Sequence, residues 1–503
     1  MSVAMRLCES AILPTKSELL SHTASGAKKR AMVLLVMAFG LSMGQVLNTM
    51  PYREQKLAAT PPRGWRSWIA FMHDADQIKM EAAIDALHKK RSVAHGNKTQ
   101  MVSLQDLGYS DAGLDGGWAR CEGINGSYHD ITGQVLINTT KFPSLAAMNA
   151  RAHSFGLTSS WYLNCDQCVK TETLIESPIT DAWYTEDAIR AARLNFDGIK
   201  FDTQPGGPNW NISKWAEAID AAGKAMVVED CLDKHPDGTP IHDGKPSDWI
   251  HPTIDILHDP QYCPFSFYRT GGDNSPRFYH GMEHTLVDLA PFLNNSGSGS
   301  VPASRPGCWA YPDMLSIGKS VMQQSFEQRG CPALTATEEQ TLFANWAIVS
   351  SPLILSFDVT NDTEVQRLWP IISNTRALSI NAQWAGEAGR LLKTSPGNFS
   401  APMCQGADKK PKQLSLPTWA VWSKRLTEPR NGLAILAINV AEVPRTIEVS
   451  YDELTQAGVG KGVLSVTDVW TGREDGRVKV GDSWKIELRE PHSSLFKIFA
   501  PEQ

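Results

Sequence analysis

In the stretch "GIKFDTQ", Lys200 and Asp202 stand one position apart at the end of a strand-forming run. Alternation along a strand puts them on one face, where an ammonium favours the ionised form of a neighbouring carboxylate. An aspartate kept ionised at the mouth of a fold can attack an electrophilic carbon and form a covalent ester. A salt bridge that merely closes a strand would carry the same residues, so the choice depends on what else the chain brings beside them.

Other apolar runs end in the same manner, with Trp68, Asp115, Tyr162, Glu229, Arg269 and Asp313 at or near their C-terminal ends. The runs are "GWRSWIAF", "DAGLDGGW", "GLTSSWYLN", "FDGIKFD", "AMVVEDC", "PFSFYRT", "GCWAYPDML" and "SSPLILSFDV". They alternate with segments of helical spacing such as "QIKMEAAIDALHKK" and "ISKWAEAIDAAGKA". That pattern predicts an α/β fold, a closed (β/α)8 TIM barrel over 58–385, with a doubly wound sheet as the structural alternative. Active sites of such barrels gather at the C-terminal ends of the strands, where these side chains fall. From about residue 386 to 503 the texture changes to alternating runs broken by Gly, Pro and Asn, which predicts a C-terminal antiparallel β-sandwich. Inside it, "SPGNFSAPMCQGADKKPKQ" reads as an exposed loop.

The 503 residues, 42% hydrophobic and 20% charged, suit two or three globular domains, and a formal net charge of −6 offers no basic stripe for nucleic acid. Residues 1–50 read as a leader: "KKR" precedes the apolar "AMVLLVMAFGLSMG", as in a signal peptide cleaved near residue 44 or a signal anchor. Seven Asn-X-Ser/Thr sequons, at Asn97, Asn125, Asn138, Asn211, Asn294, Asn361 and Asn398, agree with a secretory route to the exterior, a lysosome or a vacuole. So do eight cysteines beyond the leader, an even number fit for an oxidising compartment. "CDQC" at Cys165–Cys168 lacks the further ligands zinc would need, which favours disulfide partners.

The motifs "TPPRGWRSW", "LGYSDAGLDGGW", "FGLTSSWYLN", "GIKFDTQ", "YRTGGD", "WAYPDML", "WAIVSSPLILSFDV", "DVWTG" and "HSSLFKI" occur in this order between about residues 60 and 500. In them the chain resembles the glycoside hydrolases of the α-galactosidase (melibiase) type, a family that also contains α-N-acetylgalactosaminidases. The resemblance implies hydrolysis of terminal α-linked galactose with retention, without metal or organic cofactor, the partner being a glycoside. It implies Asp202 as nucleophile and Asp273 as acid/base, and substrate contacts from Trp68, Asp115, Tyr162, Asp313 and Met314, while Arg269 is suited to bind sugar hydroxyls or to orient a carboxylate. Lys200 supports the nucleophile, and Glu229 or Asp230 lies where the family reads the sugar 2-substituent. An acid that first donates a proton needs a raised pKa, so Asp273 is expected to have one. Quaternary structure, a homodimer included, stays open.

Three departures bear on specificity. Gly116 stands where the family has a second aspartate that reads the 4- and 6-hydroxyls, Ala310-Tyr311 replaces Asn-Asp, and Gln204 replaces a cysteine, so the disulfide beside the nucleophile must differ or be missing. The alternatives are therefore an α-N-acetylgalactosaminidase, a β-L-arabinopyranosidase, or a carbohydrate-binding relative that has lost turnover.

Overall fold

Each of the eight apolar runs contains a short parallel strand. They are β1 (Arg63–Arg66), β2 (Asp111–Leu114), β3 (Thr158–Leu163), β4 (Gly198–Asp202), β5 (Val227–Cys231), β6 (Phe267–Arg269), β7 (Trp309–Tyr311) and β8 (Leu353–Leu355). The structure is a computed structural model that describes residues 57–95, 98–123, 126–163, 181–202, 212–231, 263–293, 302–405 and 409–502. The leader, Cys165, Cys168 and Gln204 lie outside the described residues, as do four of the sequon asparagines, Asn97, Asn125, Asn211 and Asn294.

The strands follow one another in chain order, with β8 beside β1. Just past β7 the ring closes: Leu315 N–H donates to Ile354 O at 2.9 Å in a parallel bridge to β8. The helices between strands form where an apolar stripe recurs behind a capping side chain. In α1 (Gln77–His88), Asp76 caps the N-terminus by accepting from Lys79 N–H at 2.8 Å, and Met80, Ala83, Ile84 and Leu87 turn inward. The second helical run forms α2 (Ile212–Ala221). The run "GWRSWIAF" is not one strand: β1 stops at Arg66 and Ser67–Phe71 is a short helix. There Ser356 Oγ donates to Arg66 O and accepts from Ile69 N–H, so one side chain takes the backbone groups that a longer strand would pair.

Inside the barrel, Arg66 donates to Glu229 Oε2 from Nε and Nη2 at 3.1 and 3.0 Å, and through Nη1 to Asp111. Burial opposes its charge, but Asp111 and Glu229 raise its pKa above the usual arginine value. Gly113 makes this possible, because a Cβ there would come within 2.4 Å of the Arg66 side chain. A cavity of about 310 Å³ opens at the N-terminal end of the strands, lined by Arg63, Arg66, Asp111, Thr158 and Ser160 among others, opposite the end where the candidate catalytic residues gather.

The C-terminal part is antiparallel. Its strands are β9 (Arg390–Thr394), β10 (Asn398–Met403), β11 (Lys412–Pro417), β12 (Trp419–Leu426), β13 (Gly432–Asn439), β14 (Arg445–Ser450), β15 (Leu464–Asp468), β16 (Glu474–Val478), β17 (Ser483–Leu488) and β18 (Ser494–Pro501). The main sheet runs β9-β12-β13-β18-β15-β16, with β14 paired to β17 and β10 to β11. One face of the main sheet packs on the barrel side through Trp422, Leu436 and Phe496; the other covers Ile447, Val449 and Ile486 of β14 and β17. Being covered on both faces explains why β13 is buried throughout and apolar up to Asn439. The segment read as an exposed loop is largely the β10-β11 hairpin, which buries Ala401 and Met403 against Leu414 and Leu416.

Cys263–Cys308 and Cys331–Cys404 are disulfides and Cys121 is disulfide-bonded as well, whereas Cys231 is a buried thiol. The even cysteine count therefore does not translate into complete pairing.

Replacing Arg66 by Met leaves Asp111 and Glu229 without their cation. The expected loss is about 3–5 kcal/mol in denaturant unfolding, partly recovered in the Arg66→Met/Glu229→Gln double variant. A loss below about 1 kcal/mol would mean that the barrel interior does not depend on this pairing.

Candidate active site

The strand registers bring the candidate residues together. Tyr162 lies opposite Lys200, Lys200 opposite Glu229, Asp202 opposite Cys231, and Arg269 opposite Tyr311. Lys200 and Asp202 share the inner face, as alternation requires. Yet the bonding partner of Lys200 is on the other side: Nζ donates to Asp115 Oδ2 at 2.8 Å, and each of the two side chains is only 3% exposed. Burial alone would lower the lysine pKa, but Asp115 first, and Glu229 and Asp202 with it, raise it well above the usual value. Lys200 is thus a permanent cation that serves Asp115 directly and Asp202 through its field. Tyr162 completes the group, its ring 5.5 Å from Lys200 Nζ and its hydroxyl bonded to the Asp202 carboxylate. Burial and the Asp202 charge raise the phenol pKa well above normal, so Tyr162 stays a neutral donor.

Opposite them, β6 ends in Arg269, whose Nη1 donates to Asp273 Oδ1 at 2.8 Å while Nε donates to Gly271 O at 3.1 Å. One guanidinium therefore holds both the turn and the carboxylate at its tip. Asp313, two residues beyond β7, has φ of 74°, a left-handed conformation uncommon for a residue other than glycine. Its carboxylate accepts from Met314 N–H and Asn274 N–H, both at 2.7 Å, and Trp346 Nε1 donates to its carbonyl at 3.0 Å. Surrounding bonds hold the strained residue, a situation that recurs at functional sites.

Asp273 differs from expectation. Arg269 above all, with Lys200 and His284 adding, holds its pKa below the usual carboxylate value, although burial works the other way. In the resting site the carboxylate is ionised and paired; its side chain is 75% exposed to the open mouth, so the opposing desolvation comes from the protein mass around that mouth and is outweighed by Arg269. Glu229 lies two residues short of the end of β5 and gives Oε2 to Arg66; burial raises its pKa against Arg66 and Lys200. Asp230 is also buried and, by alternation, faces away from Glu229. Met314 is buried in a cluster with Ile69, Trp309 and Tyr311. Trp68 flanks the site beside Gly116, where an added Cβ would meet the indole at 3.4 Å and Tyr162 at 4.0 Å, ordinary contact distances.

Four residues not expected from the sequence to line the site belong to this neighbourhood. Arg66 sits beneath the pocket; the alternation Gly64, Arg66, Trp68 was its signal. Cys231 ends β5 opposite Asp202, with burial raising its thiol pKa well above normal. Tyr311 is buried near Glu229 and Asp313, and its hydroxyl has no partner among the described residues. His284 contributes to the field at Asp273.

A parallel barrel followed by an antiparallel sandwich, with carboxylates and cations at the C-terminal ends of the barrel strands, is the layout of a barrel enzyme. Residues 417–498 match the alpha-galactosidase C-terminal beta sandwich domain. Alpha-galactosidase A of Cellvibrio japonicus is 25% identical over 339 residues, covering 66% of this chain and 70% of its own. Alpha-galactosidase 3 of Arabidopsis thaliana is 24% identical over 447 residues, covering 87% and 82%. The fold is shared with a GH27 β-L-arabinopyranosidase of Geobacillus stearothermophilus, at a TM-score of 0.64 and 17% identity, over 89% of this chain and 98% of that one. Together these findings support an α-galactosidase-type family for the chain. Among the described residues, no helix is long and apolar enough to cross a membrane.

The lowered pKa of Asp273 has a sign that can be checked. A general acid works protonated, so kcat/KM, which reports the free enzyme, is expected to fall as pH rises through that lowered pKa. A sugar filling the mouth removes water from the exposed carboxylate and raises its pKa, so the basic limb of kcat is expected at higher pH than that of kcat/KM. Profiles measured on one aryl glycoside decide this; coincident limbs, or a kcat/KM limb above neutrality, would contradict it.

Proposed function

We propose that the chain is a retaining exo-glycosidase that removes terminal α-linked galactose by double displacement. The observation that carries this reading is Asp202 at the end of β4, bonded to Tyr162 and in the field of the permanent Lys200 cation, in a chain related over most of its length to α-galactosidases. In the first step Asp202 attacks the anomeric carbon, the bond to the glycosidic oxygen breaks, and Asp273 gives that oxygen its proton. In the second, Asp273 takes a proton from water, whose oxygen displaces Asp202 from the anomeric carbon. Asp115, Arg269 and Asp313 are assigned to bond sugar hydroxyls, and Trp68 to face an apolar side of the ring. Glu229 is not needed for this role, since Arg66 already engages it. We assign the protein to the secretory route, which the disulfides support.

Gly116 favours one second reading. L-Arabinopyranose is galactose without its exocyclic hydroxymethyl group, and a site short of one carboxylate for the 4- and 6-hydroxyls loses less on that sugar. Assays on the aryl α-galactoside and the aryl β-L-arabinopyranoside separate the two. Gly116→Asp is expected to raise kcat/KM for the galactoside by on the order of tenfold relative to the arabinoside, the worth of one charge-assisted hydrogen bond. An unchanged ratio in a folded variant would show that another group already reads those hydroxyls.

The nucleophile is tested by Asp202→Ala. The variant is expected to fold, to lose turnover by several orders of magnitude, and with azide to release an activated leaving group while forming a β-galactosyl azide. Turnover like that of the parent would end the assignment.

A further inference from the structure

The turn that carries Asp273 rests on a histidine-carboxylate pair outside the pocket. Helix α3 (Phe278–Glu283) continues as a π-helical stretch, His284–Leu289, a widened geometry found often at functional sites. Within it His284 Nδ1 is 2.9 Å from Asp288 Oδ2. Gly271, at the start of the Gly-Gly-Asp turn, lies directly against both: a Cβ there would come within 2.4 Å of Asp288 Oδ2 and 2.6 Å of His284 Nδ1. Only glycine allows the turn to settle on the pair. The His284 ring is buried, and its Nε2 has no hydrogen-bond partner among the described residues, a costly arrangement unless it serves something. The element is anchored from behind, where Asn345 of α4 (Ala336–Ile348) donates to Thr285 Oγ1 at 2.6 Å.

We propose that His284 and Asp288 form a positioning pair for the general acid/base, holding the Gly271–Asp273 turn and setting the field at the Asp273 carboxylate. The inference rests on the reading of Asp273 as acid/base. Asp288 fixes the ring, as a carboxylate orients the histidine of a catalytic dyad. The imidazole beside the turn adds to the field that stabilises the Asp273 anion. The charges around Asp273 are Arg269 from β6, Lys200 from β4 and His284. Those around His284 are Asp288 and His280 of its own segment, the two histidine rings being 4.5 Å apart, and Asp273 of the turn. His280 is in turn held by Ser275 at 2.6 Å and is neutral, its pKa pushed well below normal by burial and then by His284, Arg277 and Lys412; Glu283 lies 3.9 Å from its Nε2.

The test uses the full chain with His284→Gln and Asp288→Asn, the second keeping the side-chain shape should the first not fold. Each is assayed across pH on an α-galactoside with a poor leaving group, which needs the acid, and on a dinitrophenyl α-galactoside, which does not. For His284→Gln the expected result is a loss on the order of tenfold on the poor leaving group, a smaller loss on the activated one, and a basic limb of kcat/KM moved to higher pH because a positive charge beside Asp273 is gone. For Asp288→Asn the same split between substrates is expected, with the limb moved to lower pH because a negative charge beside the turn is gone. Equal losses on both substrates with an unmoved limb in either folded variant would overturn the proposal. Asp273→Ala is the separate control. If it keeps parent-like turnover of the poor leaving group, the acid/base assignment falls and the pair's role falls with it; if it loses that turnover while both other variants keep the parent limb, only the pair's role is overturned.

Discussion

An ammonium and a carboxylate with almost no access to water, Lys200 and Asp115, hold each other 2.8 Å apart across two barrel strands, and the pocket above depends on that contact. Taking either charge out of water alone would cost several kcal/mol, so each is tolerated only with its partner in place. Lys200 then remains charged at any pH the protein meets, and its field reaches Asp202 on the same strand face and Asp273 across the mouth. A nucleophile works ionised whereas an acid must first hold a proton, and one buried cation favours the first state and opposes the second.

Beneath that pair, Arg66 bonds Glu229 and Asp111, so the barrel is filled with alternating charges where branched apolar side chains are the rule. The arrangement is rigid by necessity. Removing any member leaves another charged and buried, and Gly113 is small because Arg66 passes it. The pocket floor is therefore fixed by ion pairs, whereas the opposite wall, the turn carrying Asp273, is fixed by Arg269 from inside and bears on the His284–Asp288 pair from outside. The two carboxylates proposed as nucleophile and acid/base thus sit on supports of different kinds.

The eight strands were legible because each is a short apolar run closed by a polar or aromatic residue, and covered β-strands read that way. Which side chains share the barrel interior was legible too, since alternation fixes the face. Depth and partner were not. Alternation puts Lys200 and Asp202 together, but stagger between neighbouring strands decides that the ammonium reaches Asp115 and that Glu229 lies low enough to meet Arg66. The helix at Ser67–Phe71 escaped because Ser356, nearly 300 residues away in sequence, takes the backbone groups at the end of β1. The β10-β11 hairpin escaped because its Pro, Gly and Lys content masks the alternation of Ala401, Met403, Leu414 and Leu416. The raised pKa expected for Asp273 was drawn from the task of an acid, and of the two readings open for Arg269, binding sugar hydroxyls or orienting a carboxylate, the second holds with Asp273 itself as the carboxylate.

Trapping the covalent intermediate tests the central claim most directly. The protein is incubated with 5-fluoro-α-D-galactopyranosyl fluoride, whose second fluorine slows hydrolysis of the glycosyl ester, and then digested and sequenced by mass spectrometry. One sugar per chain on the peptide containing Gly198–Gln204, at Asp202, is the expected result. A stable label on Asp115, Asp273 or any other residue would contradict the role given to the strand end that Lys200 and Asp115 hold in place.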